Sequence, residues 1–346
     1  MLNYHNKFEM NYSDYSSIIS DAFGKNSYKA SRSFFDWLYY YNPYSTSLDV
    51  TALVEKSDGK KIACINLILL EWNIGGEIFI LPSLTDLYID VNSRRGLFSI
   101  KFIQNSLSKF KYAFVNGSNI NSAPIFRFLK MKEINDIRWF KVCINKFGSG
   151  IRYLQTKIGI DKFNDLDKKG LEQNFDNDCI LHSDPPDELI HELVDFFNSS
   201  DDHVKVQWTF ESLRWRFYHN LGPRHFTIVS RNDIGRIDSA IIASIGQVQC
   251  FNVSRIVLTR YTNNSKFISL LNSLVQHLRA NGVHFFMMFT QHDSVANFLM
   301  NIGGIETIEK KPATFFYSNE KASYSHFNNV KIFGGYSDYG FDFDSI

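Results

Sequence analysis

The sequence predicts an α/β chain organised as two modules in tandem, each a sheet with flanking helices. Three observations predict it. The chain has 346 residues, enough for two domains that each bury a core. Residues 37–42 read Trp-Leu-Tyr-Tyr-Tyr-Asn and residues 215–220 read Trp-Arg-Phe-Tyr-His-Asn, an internal self-match. Behind each copy, the same order of helix-forming and strand-forming segments recurs.

In the first half, Ser31 is placed to cap a helix over 32–41 that Pro43 stops. Strands are predicted at 50–55 and 61–72, joined by the turn Ser57-Asp58-Gly59-Lys60. Gly75 and Gly76 turn the chain into strands near 77–81 and 84–91. A helix over 97–110, a strand at 111–116, a short helix at 123–130 and a strand at 133–145 complete this half. The polar stretch from 146 to 178, with its run Asp165 to Gly170, reads as a linker. The predicted organisation is therefore a module over 1–148, a linker over 149–178 and a second module over 179–346.

The second half repeats the order. A helix at 209–219 precedes a strand at 225–230, a turn over Arg231 to Gly235, and strands at 236–245 and 248–259. Leu270, Leu271, Leu274, Val275 and Leu278 mark one face of a helix. A strand at 283–290, a short helix at 293–302 and a strand at 304–317 follow. Trp37 and Trp215 are read as core residues of the two matching helices.

Composition excludes several classes. Hydrophobic residues at 44% and charged residues at 21% are those of a globular chain. The 37 basic and 36 acidic residues leave a net charge of +1, without the clustered Lys and Arg of a nucleic-acid binder. The longest apolar run, Ile62 to Leu70, is interrupted by Asn66 and too short to span a bilayer. The first residues lack a basic start followed by an apolar stretch, and a cytoplasmic location is expected. Cys64, Cys143, Cys179 and Cys250 are scattered, which reads as reduced thiols rather than disulfides or a zinc site.

Chemistry concentrates in residues 84–130. A strand is followed by a short loop with Arg94, Arg95 and Gly96, then by a helix opening at Leu97, Phe98 and Ser99. Unpaired N–H groups and the positive end of a helix dipole make such a loop an anion site suited to a diphosphate. Gly96 permits close backbone approach, and Arg94 and Arg95 are cations for phosphate.

These residues resemble the acetyl-CoA motif of the GNAT acyltransferase superfamily, in which a strand leads into an Arg- and Gly-containing loop and a helix. The matching run is Arg95, Gly96, Leu97, Phe98 and Ser99. Asn119, Ser122, Ala123, Pro124, Ile125 and Phe126 resemble the family's later stretch, with Lys130 to Glu133 in the place of its closing strand. The resemblance implies a mixed, mostly antiparallel central sheet in each module and acetyl-CoA or another acyl-CoA as co-substrate. It also implies a thioester oxygen held by backbone N–H groups of the central strand, at Ile89, Asp90 and Val91. Here the loop is about two residues short, keeps one Gly, and carries Phe126 where many relatives have a Tyr acid. The second module's corresponding loop, Thr259 to Ser265, has no Gly, so that module is expected to shape the acceptor site instead.

Acyl transfer to an amine needs a base. Asp86, on the predicted central strand, and Glu71, closing the preceding strand, are candidates, each with a structural alternative. His292 is a third, suited by its ordinary pKa, beside Asp293, which is read as a helix cap. His284 reads as a core histidine, and no metal-ligand spacing is present. The leading function is an acyl-CoA-dependent N-acyltransferase for a small amine, by resemblance a nucleotide-linked amino sugar of surface polysaccharide. The alternatives are a relative of the peptidoglycan aminoacyl transferases that use aminoacyl-tRNA, and a non-catalytic ligand-binding protein. The oligomeric state is open.

Overall fold

The computed structural model describes residues 2–5, 12–25, 27–45, 51–56, 59–94, 97–119, 121–157, 179–248, 250–307 and 313–319. Their elements are β1 (Leu2–His5), α1 (Tyr12–Phe23), α2 (Arg32–Phe35, continued as a wider π-type turn over Asp36–Tyr40), β2 (Thr51–Lys56), β3 (Lys61–Ile74) and β4 (Glu77–Ile89). Next come α3 (Phe98–Leu107), β5 (Tyr112–Ser118), α4 (Ala123–Phe128), β6 (Lys132–Ile134), β7 (Arg138–Cys143) and α5 (Lys146–Lys157). Then follow β8 (Cys179–His182), α6 (Asp187–Asn198), β9 (Val204–Val206), α7 (Phe210–Tyr218), β10 (His225–Arg231) and β11 (Ile237–Val248). The last are β12 (Phe251–Tyr261), α8 (Asn264–Ala280), β13 (Phe285–Thr290), α9 (Asp293–Asn301), β14 (Gly304–Glu306) and β15 (Ala313–Ser318).

The strands form two mixed sheets, one in each of two compact units. The first unit takes residues 1–135, 201–222 and 312–331, and the second takes 136–200, 223–311 and 332–346. The first sheet runs β1-β2-β3-β4-β5-β15-β6, with β9 added on β3, and the second runs β14-β7-β13-β12-β11-β10-β8. Among the described strands, the β4–β5 pair of the first sheet and the β12–β13 pair of the second are parallel and the rest antiparallel. This is the mixed, mostly antiparallel α/β architecture expected from the sequence.

Two predicted strands divide differently. The run 133–145 is two strands: β6 pairs with β15 in the first sheet, whereas β7 lies between β13 and β14 in the second. The run 304–317 divides the same way, into β14 of the second sheet and β15, which lies between β5 and β6 of the first. The first unit thus takes β9 and β15 from the far half of the chain, and the second takes β7 from the near half. Conversely, the strands expected at 77–81 and 84–91 are one strand, which carries Pro82 just before pairing with β5 begins at Ser83. The predicted linker begins as the helix α5, and its residues 158–178 lie outside the described ones.

The periodic residues bury as their spacing requires. Leu270, Leu271, Leu274, Val275 and Leu278 of α8 line the second unit's core with Phe286 and Ile241. In the first unit, Ile18 of α1 packs on Cys64 and Tyr88 of β3 and β4. The face with Cys64 and Tyr88 is therefore covered by the N-terminal helices. Phe126 of α4 meets Phe315 of β15 on the opposite face.

Candidate functional site

The β4–β5 ladder is short. Ser83 pairs with Phe114 and Leu84 with Val115, and among the described residues the two strands pair no further. Both strands are bulged immediately beyond. On β4, Asp86 and Leu87 stand against the single residue Ile65, between the pairs Asn66–Thr85 and Cys64–Tyr88. On β5, Asn116 and Gly117 stand against Thr314, between Val115–Phe315 and Ser118–Ala313. Asp86 has φ +49° and Gly117 φ +83°. Glycine adopts that conformation at no steric cost, while at Asp86 the surroundings must hold it. Two bulges at one level twist the strands apart and open a fork.

What holds Asp86 is a buried polar cluster. Its Oδ1 accepts from Lys29 Nζ at 3.0 Å, and its Oδ2 accepts from Tyr39 Oη at 2.8 Å and Asn66 Nδ2 at 3.2 Å. The Asp86 side chain is 0% exposed and that of Lys29 4%. A buried ion pair persists only when such hydrogen bonds complete it. Burial, with the neighbouring Asp86 charge, pushes the Tyr39 and Tyr15 hydroxyls and the Cys64 thiol well up, so all three stay protonated.

Beyond the bulge, the Asp90 N–H donates to the Ile62 carbonyl at 2.7 Å, on the β3 side. Alternation along the strand therefore turns the Leu87 and Ile89 amides toward the fork. The Ile89 carbonyl accepts from Arg94 Nε at 2.8 Å, so this arginine folds back on the strand end. Asp90 caps the short turn that follows by accepting from the Asn92 N–H, and Val91 is exposed. Arg95 and Gly96 lie outside the described residues. Leu97 is the N-cap of α3 and supplies no side-chain acceptor; Phe98 stacks on Phe102 and Ser99 is buried. Among the described residues, the first N–H groups of α3 thus have no side-chain cap.

The second unit differs at the corresponding place. The loop after β12 ends in Asn263, whose Oδ1 accepts from the N–H groups of Ser265 and Lys266 at 3.0 and 3.1 Å. The start of α8 is closed by its own side chain. Tyr261 stacks on Phe267 at 4.1 Å, and burial pushes its hydroxyl up to about 12.

Asp86 and Ile89 stand along β4 at the fork, with Arg94 folded back on the strand end. Glu71 does not join them. It faces the other side of β3, opposite Ile80, roughly 20 Å along the strand from the bulge at ~3.3 Å per residue. Burial raises its carboxyl above the ordinary range. His292 belongs to the second unit, where its ring meets Tyr261 edge-on at 5.6 Å and its N–H donates to Thr290 Oγ1. His292, not Asp293, is the N-cap of α9, and Asp293 pairs instead with Arg138. His284 is buried, its Nδ1 accepting from the Asn252 N–H. Asn119 caps the approach to α4 through bonds from the Asn121 and Ser122 N–H groups. Leu87 and the two bulges escaped the sequence reading; an Asp within an apolar strand was their only signal. Among the described residues no group of three His, Cys, Asp or Glu could hold a metal ion, and no helix is long and apolar enough to cross a membrane.

No protein-family model matches this sequence, and neither does any curated protein. Solved structures do resemble the fold. A GCN5-related N-acetyltransferase from Anabaena variabilis aligns with TM-score 0.60 over 93% of this chain and 74% of its own, at 8% identity. Saccharomyces cerevisiae N-myristoyltransferase, solved with bound myristoyl-CoA, aligns with TM-score 0.58 over 92% and 79%, at 12% identity. The chain has the GNAT fold of these N-acyltransferases.

Proposed function

We propose that the chain is an acyl-CoA-dependent N-acyltransferase. The observation that carries the reading is the fork between β4 and β5, which opens toward a helix start with no side-chain cap. In this reading the start of α3, with Arg95 and Gly96, takes the coenzyme diphosphate. The Leu87 and Ile89 amides, at the open edge of β4, hold the extended arm that carries the thioester. Asp86 acts as a positioning residue, since its carboxylate is committed to Lys29, Tyr39 and Asn66. The proton leaving the acceptor amine then goes to a group other than Asp86, and Glu71, which faces the far side of β3, is too distant from the fork to take it. The acceptor is a small amine, and a nucleotide-linked amino sugar rests on the sequence resemblance alone. The two units descend, in this reading, from a duplication, and the Asn263 cap leaves the second without a diphosphate site.

A second reading is ligand binding without turnover. Two features favour it: Phe126 is a buried ring against Phe315 with no acidic group, and Asp86 is sealed in its ion pair.

Calorimetric titration with acetyl-CoA tests the first reading. Saturable binding that is lost in Gly96→Glu, at an unchanged melting temperature, supports it. Release of free CoA in the presence of an amine panel separates transfer from mere binding. Absence of acetyl-CoA binding by the native chain would overturn the proposal.

A further inference from the structure

A row of buried polar side chains crosses four neighbouring strands on the face covered by α1 and α2. It runs from Asn66 on β3 through Ser83, Thr85 and Asp86 on β4 to Asn116 on β5 and Thr314 on β15. The same face otherwise carries Ile68, Leu70, Leu81, Phe114 and Phe316. Most of the row satisfies itself: Asn66 and Tyr39 donate to Asp86, and Thr314 Oγ1 donates to Asn116 Oδ1 at 2.8 Å. Two atoms do not. Among the described residues, Ser83 Oγ and Asn116 Nδ2 are buried without a hydrogen-bond partner, in side chains whose residues are 3% and 5% exposed.

A buried polar group without a partner is costly, and native chains keep few of them. These two stand together. Ser83 is the residue paired across from Phe114, and Asn116 lies one pleat further along β5, on the same face and at the bulge. Asn116 thus stands at the mouth of the fork, and Ser83 in the last paired stretch of β4 leading to it. Their chemistry is also matched. The amide oxygen of Asn116 is taken by Thr314, which leaves its NH2 as donor, and the Ser83 hydroxyl is a second donor. What they lack is an oxygen acceptor. The charges nearby, Lys29 and Asp86, cancel as a pair, so the site is built for a neutral oxygen rather than for a carboxylate or phosphate.

We propose that Ser83 and Asn116 form a subsite, at the parting of β4 and β5, for a carbonyl oxygen of the acyl-CoA. This rests on the acyltransferase reading above. The carbonyl is that of the thioester or of the adjoining pantetheine amide, which share one chemistry. At the thioester, side-chain donors would also strengthen as negative charge develops on the oxygen during transfer.

The test is titration of the native chain, Ser83→Ala and Asn116→Ala with acetyl-CoA and separately with CoA, alongside melting temperatures. Removing an unpartnered hydroxyl leaves the ligand-free protein as stable or more so. Ser83→Ala is thus expected to melt at or above the native temperature, yet to bind acetyl-CoA roughly 3- to 10-fold more weakly, the worth of one hydrogen bond. Asn116→Ala is expected to weaken binding at least as much; should it unfold, Ser83→Ala carries the test. Loss confined to acetyl-CoA assigns the thioester carbonyl, and equal loss for CoA assigns the pantetheine amide. Native affinity in both variants would overturn the subsite while leaving the acyltransferase reading intact, the pair then serving a buried water. Failure of the native chain to bind acetyl-CoA would overturn the function and the subsite together.

Discussion

Trp37 and Trp215 hold each other through reciprocal hydrogen bonds. Trp37 Nε1 donates to the Trp215 carbonyl at 2.8 Å, and Trp215 Nε1 donates to the Trp37 carbonyl at 2.6 Å. The Arg216 guanidinium lies over both rings, 5.5 and 5.6 Å from their centroids. Two residues 178 positions apart thus satisfy their buried N–H groups with each other's backbone, and bring α2 and α7 together in the first unit.

Gly222 lies against this pair. A Cβ there would stand 2.8 Å from two atoms of the Trp37 indole, whose ring is pinned by its hydrogen bond and cannot yield. Gly222→Ala is expected to cost about 1–3 kcal/mol, as overpacking does, and to lower the midpoint of a denaturant melt. An unchanged midpoint would mean the tryptophan pair is looser than its geometry.

Lys29→Met removes the cation beside a fully buried carboxylate. The expected loss is about 3–5 kcal/mol, because Asp86 is left charged and unpaired. Lys29→Met with Asp86→Asn should recover much of that loss, since an Asn keeps an acceptor for Tyr39. A double variant no more stable than Lys29→Met would show that the pair does not act as a unit.

The two helix starts make opposite predictions. Asn263→Ala removes the cap of α8 and is expected to cost about 1 kcal/mol without affecting acetyl-CoA binding. Leu97→Asp supplies α3 with the cap it lacks. It should raise the melting temperature and weaken acetyl-CoA binding, because a carboxylate then occupies the anion's place. Tighter binding in Leu97→Asp would place the diphosphate elsewhere.

Glu71 carries a pH dependence. Desolvation raises its carboxyl above the ordinary 4.5, so the folded state favours the protonated form. Its contribution to stability is then complete below the unfolded value and is lost as pH rises through the folded one. Glu71→Gln should match the native melting temperature at low pH and exceed it at neutral pH. Parallel curves across that range would contradict the burial.

The helices and most strands were legible because their signals are local. The spacing of Leu270 to Leu278, the Gly75-Gly76 turn and the Ser31 cap each act within a few residues, and each produces the element expected of it. The core assignment of Trp37 and Trp215 follows from their bulk and pattern, and both are buried. The partners of Asp86 were not legible. Lys29 and Tyr39 lie 57 and 47 residues away, and nothing in their own surroundings marks them as buried polar groups.

What the sequence by itself determined is the order and kind of the elements, two sheets' worth of them. Only the tertiary structure decided which sheet receives β7 and which receives β15, and only it bulged β4 and β5 at one level. The physical reason is that a strand's own pattern states which residues face a core but not which strand supplies its hydrogen bonds. Pairing and register are settled by distant backbone, and a fork between two strands exists only once both have been placed.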